Sequence, residues 1–306
     1  MNILITGGNG FLGSNIARRL LKEKHNVYLF SNNANNIEDI LPQVLFDYSS
    51  TRSLTLFKER IETFAPDIVI HCGWSGGNSY ADINSIDQFY ENVDPSISLL
   101  QLLSKLKKKP KFVGFGSFAE YGKISDTVSE TVQEVPTNLY GLSKYTFKKY
   151  SEMLCKQQDI EWVWIRPCYV YGPGDVSTRL IPNITNKFLK NEAVVLDECT
   201  SIVDYIYIDD FVNSIYFLIL SKHVGVYNIC SGKQYKIREI VEQIYKQTES
   251  SSPVEFNSSL KRTSTYSYIC GSRYKLDNAI GELGQLTLEE GLLRVVSYYK
   301  LKTFIK

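Results

Sequence analysis

The sequence predicts an α/β protein, a doubly wound parallel sheet with a smaller, discontinuous C-terminal lobe. Three observations carry that expectation. A glycine-rich turn directly follows the first apolar run, short β-branched or aromatic runs alternate with amphipathic stretches through the first half, and this rhythm loosens beyond Arg166-Pro167. Such alternation gives parallel strands joined by right-handed crossovers and places ligands at the carboxyl edge of the sheet.

The first strand is expected at 2–6 and runs into Thr6-Gly7-Gly8-Asn9-Gly10-Phe11-Leu12-Gly13. Gly7 permits a tight turn, Gly10 lets backbone approach an anion with no side chain between, and Gly13 lets the next helix pack closely on the sheet. That helix, expected at 11–24 with Phe11, Leu12, Ile16, Leu20 and Leu21 as its apolar side, aims unpaired amides and its positive dipole end at the turn. A strand before the glycines and a helix after them is the context that a dinucleotide-binding turn requires. Further strands are expected at 26–30, 43–46, 67–72, 111–117 and 161–166, with helices at 50–64, 83–106 and 139–158 between them. Past the turn Gly172-Pro173-Gly174-Asp175 come a helix at 179–190 and a strand at 193–196. Segment 204–208 then leads into a helix at 210–220, and a strand at 226–230 returns to the sheet. The remaining helices, at 237–247, 272–280 and 288–299, are enough for a small lobe. The expected division is 1–167 with 203–231 as the dinucleotide domain and 168–202 with 232–306 as the substrate lobe, with the active site in the cleft between them.

Composition narrows the function. A chain of 306 residues, 43% hydrophobic, can bury one large core, or one core and a lobe. A formal net charge of +1 without a long basic run leaves no electrostatic footprint for nucleic acid. No segment reaches the roughly 18 apolar residues of a membrane span, and no Lys or Arg precedes the first strand as in a secretion signal, so the expected location is the cytoplasm. Six scattered cysteines without CxxC spacing and three histidines give no expectation of a metal site or a disulfide framework. The 21 tyrosines suit the lining of a polar organic ligand.

Tyr140 and Lys144 stand four residues apart on one face of a predicted helix. A phenol with an ordinary pKa near ~10 is a poor acid or base at neutral pH, and an adjacent ammonium favours its anion. Upstream, the strand ends at Ser117, whose hydroxyl can project from the carboxyl edge toward a carbonyl or alkoxide. The three groups form a proton-transfer set for carbonyl/alcohol interconversion.

With these residues assembled, the sequence resembles the extended short-chain dehydrogenase/reductase family, in particular its nucleotide-sugar epimerases, dehydratases and 4-keto reductases. The resemblance spans essentially the whole chain. It rests on Thr6–Gly13 as TGxxGxxG, Ser117 followed by Tyr121-Gly122, and Tyr140–Lys144 as YxxxK. It rests further on Arg166-Pro167 with Val170-Tyr171-Gly172-Pro173-Gly174, on Asp204–Asp210, and on Lys261-Arg262. It implies a Rossmann fold with Tyr140 as acid/base, Lys144 on the cofactor ribose and lowering the phenol's pKa, and Ser117 orienting the substrate oxygen. It also implies Asp47 and Tyr48 near the adenine, Gly73 and Pro167 close to the cofactor, and Arg262 clamping a sugar-nucleotide diphosphate. Trp74, Ser75, Phe118 and Tyr169 are expected at the sugar, and Asn183 at the nucleotide. A homodimer through the two long helices is the family's usual assembly.

Departures from the pattern sharpen the expectation. Where NAD users carry an aspartate at the end of the second strand, this chain has Ser31-Asn32-Asn33, which tolerates a 2′-phosphate. NADP(H) is therefore favoured, with NAD(H) as the alternative. Phe118 and Ala119 replace the acid/base pair of dehydratases, and Glu120, on extended backbone, is expected to point away. Val203 replaces an arginine common before the Asp-Tyr-Ile segment, so Arg179 or Lys187 is expected to contact the diphosphate. The preferred activity is NADPH-dependent reduction of a nucleotide-activated 4-keto-6-deoxy sugar for surface polysaccharide. The alternatives are an NAD-dependent nucleotide-sugar 4-epimerase and, third, a non-catalytic NADP(H)-binding protein.

Overall fold

The protein, represented by a computed structural model, is described over residues 1–48, 56–76, 80–260 and 266–304. Its main sheet is built from β1 (Asn2–Thr6), β2 (Asn26–Ser31), β3 (Leu45–Tyr48), β4 (Ile68–His71), β5 (Lys111–Phe115), β6 (Trp162–Pro167) and a later returning strand, Gly225–Ile229. The first helices are α1 (Phe11–Lys22), α2 (Lys58–Phe64), α3 (Tyr80–Ile83), α4 (Asp94–Ser104) and α5 (Leu139–Gln157). Beyond β6 come β7 (Tyr169–Tyr171), α6 (Leu180–Leu189), β8 (Val194–Leu196), β9 (Ile202–Val203), β10 (Tyr205–Tyr207), α7 (Ile208–Leu220) and the returning strand itself, β11. The chain continues through β12 (Tyr235–Lys236), α8 (Ile237–Thr248), β13 (Val254–Phe256), β14 (Tyr268–Ile269), α9 (Tyr274–Ile280) and α10 (Leu288–Phe304).

The seven strands lie in the order β11-β6-β5-β4-β1-β2-β3, and every pairing is parallel, as the alternation predicts. Strand pleating explains why these segments read as near-continuous apolar runs: Ile3 and Ile5 face one core while Leu4 between them faces the other. The first core takes Ile16, Ala17 and Leu20 of α1 and Phe211, Ile215 and Leu218 of α7; the second takes Ile61 of α2, Leu99 and Leu103 of α4, and Phe147 of α5. The first core also continues into the C-terminal elements through Phe188, Ile240, Ile244, Leu292 and Val296. The strand order reverses at β1, between β2 and β4, which opens a crevice at their carboxyl ends.

Some expected boundaries shift for local physical reasons. The helix expected at 83–106 is interrupted: α3 stops at Ile83, and a π-helical turn at Phe89–Val93 precedes α4. Pro95, in the first turn of α4, has no N–H to offer the preceding turn, and a wider turn is one resolution of that loss. The strand expected at 111–117 ends at Phe115, and Ser117 begins a 3₁₀ turn over Phe118–Glu120 rather than extending the strand. β3 begins at Leu45 because Pro42 lies within a 3₁₀ turn at Leu41–Gln43. The small pairings β10-β7, β12-β9-β14 and β13-β8 involve strands of two or three residues, too short to show a period in sequence.

Candidate active site

At the crevice, Gly7 has φ +69°, and a Cβ there would lie 2.8 Å from the Cα of Gly73 at the end of β4. A Cβ on Gly13 would collide with the Gly7 carbonyl oxygen, so α1 can approach the turn only without one. Gly10 caps α1 with no side-chain hydrogen bond and no acidic residue stands in the first turn, which leaves the amide end of the helix facing the cleft. These features fit the pyrophosphate of a dinucleotide. Beneath them a hydrogen-bond chain ties β1 to β4: Gly73 N–H donates to Thr6 Oγ1 at 3.2 Å, and Thr6 meets His71 Nδ1 at 2.7 Å. His71 Nε2 meets Ser96 Oγ at 2.8 Å, and Ser96 donates to the Asn92 carbonyl at 2.6 Å. Since Ser96 spends its one hydroxyl hydrogen on the Asn92 carbonyl, it can only accept from the ring, which assigns the proton of the neutral imidazole to Nε2 and leaves Nδ1 to accept from the Thr6 hydroxyl. Burial and the nearby Lys144 push His71 down to about 3.

Ser117 reaches the cleft because a capping box turns the chain there. Its Oγ accepts from Ala119 N at 3.1 Å, and the Glu120 carboxylate accepts from Ser117 N at 2.9 Å. Glu120 is fully buried, bonded also to Trp164 Nε1 and to Arg166, so it points into the interior from a 3₁₀ turn rather than away along an extended strand. Asn138 starts α5 by accepting from Gly141 N at 2.8 Å, and Gly141 packs so tightly on the Ala119 carbonyl that a side chain would not fit. That contact brings Tyr140 beside the Ser117 hydroxyl, which favours the phenol's anion. Lys144, one turn on, is buried; its Nζ donates to the Phe115 carbonyl at 2.7 Å and stands 3.7 Å from the Trp74 ring centroid and 5.8 Å from that of Tyr140.

The electrostatics correct one expectation. The Tyr140 phenol lies above its ordinary value because burial outweighs the opposing effects of the Ser117 hydroxyl and Arg179. Lys144 is not among the main influences on it: its ammonium is turned to Phe115 and Trp74 and is itself pushed down to about 7 by burial, against the pull of Glu120.

The cleft has a volume of about 650 Å³. Gly7, Gly10, Phe11, Leu12 and Gly13 line one end, Ser117, Phe118, Tyr140, Lys144 and Trp74 the middle, and Pro167, Tyr169 and Arg179 the side toward α6. The structure brings those together. Gly73 lies just beneath the glycine turn, and Ser75 donates its N–H to Asn92 Oδ1 at 2.6 Å outside the lining. Ser31 and Asn32 lie beside the turn rather than in the cleft, joined with Asn33 to Asn9 in a neutral polar cluster. Asp47 bonds Tyr28 and Arg60 and lines a separate groove, while Tyr48 is exposed. Asn183 and Lys187 lie on α6 away from the cleft lining, and Arg262 falls outside the described residues. Sequence reasoning missed Asn138, Tyr205, Tyr266 and Asp197, which also line the cleft. Asn138 could have been found as the cap before an amphipathic helix. Tyr266 carries no local signal; it accepts from Asn138 Nδ2 at 2.7 Å.

A model of the NAD-dependent epimerase/dehydratase family matches residues 3–230. The chain belongs to that family. It is thus an NAD(P)-dependent enzyme of the extended short-chain dehydrogenase/reductase group, as the motifs implied. It is similar to the dTDP-6-deoxy-L-talose 4-dehydrogenase (NAD(+)) of Aggregatibacter actinomycetemcomitans, 25% identical over 79% of this chain and 89% of that one. Among solved structures, the UDP-glucose 4-epimerase of Thermotoga maritima with UDP-glucose superposes with a TM-score of 0.89, at 23% identity, over 99% of this chain and 100% of that one. The dTDP-glucose 4,6-dehydratase of Bacillus anthracis in complex with NAD gives 0.87, at 23% identity, over 99% and 98%. Among the described residues no group of three His, Cys, Asp or Glu side chains could hold a metal ion, and no helix is long and apolar enough to cross a membrane.

Proposed function

We propose that the protein reduces the C4 ketone of a nucleotide-activated 4-keto-6-deoxy sugar with NADPH, supplying a 6-deoxyhexose for surface polysaccharide. The observation that carries this reading is the chemistry beside Ser117. Phe118 and Ala119 are apolar and buried, and Glu120 is held by Arg166, so no side chain there can abstract the proton next to a ketone as dehydration requires. What the cleft offers instead is a proton donor. A phenol kept protonated by burial suits a group that gives its proton to a developing alkoxide. Ser117 and Tyr140 together bracket the ketone oxygen, and Tyr140 transfers its proton to that oxygen as C4 becomes tetrahedral. The nicotinamide, when bound, supplies the hydride. Lys144 holds the ribose hydroxyls, and Arg179, with Arg262, binds the diphosphate. The cofactor side corresponds to 1–167 with 203–231, and the sugar nucleotide rests on the remainder.

The neutral cluster at Ser31, Asn32 and Asn33 supports NADP(H), because no carboxylate repels a 2′-phosphate there. The C4 dehydrogenase relative supports chemistry at that carbon. The same reading makes the protein a cytoplasmic homodimer paired through α4 and α5, where Leu142 and Met153 are exposed. A second reading, 4-epimerisation with retained NAD, is favoured by the likeness to the Thermotoga enzyme and the same Ser117/Tyr140/Lys144 set.

One experiment separates them. Purified protein given a 4-keto-6-deoxy nucleotide sugar oxidises NADPH stoichiometrically with product, and Tyr140→Phe lowers that turnover at least a hundredfold while cofactor affinity is kept. Conversion of a 4-hydroxy nucleotide sugar without net cofactor use, by protein that releases NAD on denaturation, overturns the reductase in favour of the epimerase. Indifference to Tyr140→Phe overturns both.

A further inference from the structure

The Lys144 ammonium is buried with one hydrogen-bond partner among the described residues, the Phe115 carbonyl at 2.7 Å, and another near neighbour is a π surface. The Trp74 ring centroid lies 3.7 Å from Nζ, well inside the range in which a ring face attracts a cation. That ring is not free to swing. Its Nε1–H donates to Gln88 Oε1 at 3.1 Å, and Gln88 in turn donates to the Asp82 carbonyl at 2.9 Å. Gln88 is 4% exposed and stands just before the π-helical turn. Asn92, within that turn, grips Ser75 from both sides, accepting its N–H at 2.6 Å and donating to its carbonyl at 3.1 Å. Gly76 has φ +76° and leaves no room for a Cβ against the Gln88 amide. The irregular helix therefore serves as a clamp that fixes the loop after β4, and with it the indole plane.

Resting on the reading that Tyr140 and Lys144 are the catalytic pair, we infer that Trp74 is a positioning residue for Lys144. Its indole face, locked by Gln88, keeps the ammonium charged and in place at the cleft wall. Of the groups facing Nζ from the surrounding elements, Glu120 also favours the charge, and the others at neutral pH do not. His71 on β4 is neutral at working pH, Cys72 beyond it is a thiol pushed up to about 12, Tyr140 on the same helix is a protonated phenol, and Glu120 is ion-paired with Arg166. Among these groups, Lys144, at about 7, titrates in the neutral range, whereas His71, Cys72 and Tyr140 titrate well outside it.

Tryptophan emission of the cofactor-free protein, followed between pH 5 and 9, reads the contact directly. The expected result is a step with a midpoint near neutrality that both Trp74→Phe, which removes the reporting ring, and Lys144→Met abolish. In turnover, Trp74→Leu moves the alkaline limb of the kcat profile about one pH unit lower, Trp74→Phe moves it less, and Gln88→Leu, which keeps the ring but frees it, shifts it in the same direction. A Trp74→Leu protein that fails to fold leaves the emission step and the Gln88→Leu profile to decide. An emission that does not titrate, or an alkaline limb that stays in place while kcat or Tm falls, overturns the inference and assigns Trp74 to packing alone. Full activity of Tyr140→Phe instead overturns the catalytic reading beneath it, and the emission step still reports whether the contact exists.

Discussion

His71 shows how much one buried side chain can decide. Its ring is neutral in the fold, down at about 3, whereas in the unfolded chain it takes a proton below roughly 6.5. The unfolded state therefore binds more protons as pH falls, so this contribution to stability is intact above about 6.5 and is lost progressively toward the folded value. His71→Gln keeps an acceptor for Thr6 and a donor for Ser96 but cannot titrate. Urea unfolding at pH 8 and pH 5 should show the parent losing stability relative to the variant by about 1.4 kcal/mol per pH unit below ~6.5. Parallel profiles would refute the buried neutral assignment. Residues of this kind were hidden in the sequence, because nothing in His71-Cys72-Gly73-Trp74 says that one side chain crosses to Ser96 and another to Lys144. Ser117, Tyr140 and Lys144 were legible, since helix spacing and a strand end fix where they stand. The direction of the phenol's shift was not, because burial depends on what packs around the helix rather than on what lies along it.

At the scale of elements, the start of α1 is where sequence and structure agree most closely, and the agreement can be broken with one methyl. Gly13→Ala places a Cβ against the Gly7 carbonyl, so helix and turn must separate. The expected result is at least a tenfold loss of dinucleotide affinity in a fluorescence titration, with a stability cost of about 1–3 kcal/mol. A second element is held less visibly. The long segment between the Ser117 turn and α5 is fastened through Glu134, whose carboxylate bonds both Arg166 of β6 and Lys148 of α5. Those cations outweigh burial and hold Glu134 below the usual carboxylate range, so its stabilisation is present above about 4.3 and lost as pH falls through the lower folded value. Glu134→Gln should cost about 3 kcal/mol at pH 7, and the gap from the parent should close below pH ~4 in acid unfolding. Charges this far apart in sequence gave no hint of pairing. Nor did the broken helix before α4, where the apolar pattern reads straight through Gln88 and Pro95 and only the demand of the loop at Trp74–Gly76 reveals why the turn widens.

For the whole molecule, the alternation of strand and helix made the seven-stranded sheet readable because each crossover is local. The joints between that sheet and the later elements are not local, and Asp204 is the most concentrated of them. It is fully buried between β9 and β10 and accepts from Ser231 N at 2.8 Å, Ser231 Oγ at 2.7 Å and Gly232 N at 2.9 Å, just past β11. Gly271 N, just past β14, reaches it at 3.4 Å, and the Cys168 thiol beyond β6 at 3.4 Å. One carboxylate thus satisfies the exits of three strands from different parts of the chain. Asp204→Ala strands those amides without acceptors in an interior that water does not reach, a loss of about 3–5 kcal/mol. All three tryptophans, Trp74, Trp162 and Trp164, lie on the sheet side, while the C-terminal elements carry none and report through the dichroism of α8, α9 and α10. If Asp204 couples the two parts, urea unfolding of the parent followed by tryptophan emission and by far-ultraviolet circular dichroism should give one shared transition. In Asp204→Ala the dichroism transition should come at lower urea than the emission transition, as the later elements melt first. Asp204→Asn, which keeps one acceptor oxygen, should lose less and hold the transitions together. Coincident curves in the alanine variant, with a loss below about 1 kcal/mol, would mean that the shared apolar core alone joins the later elements to the sheet.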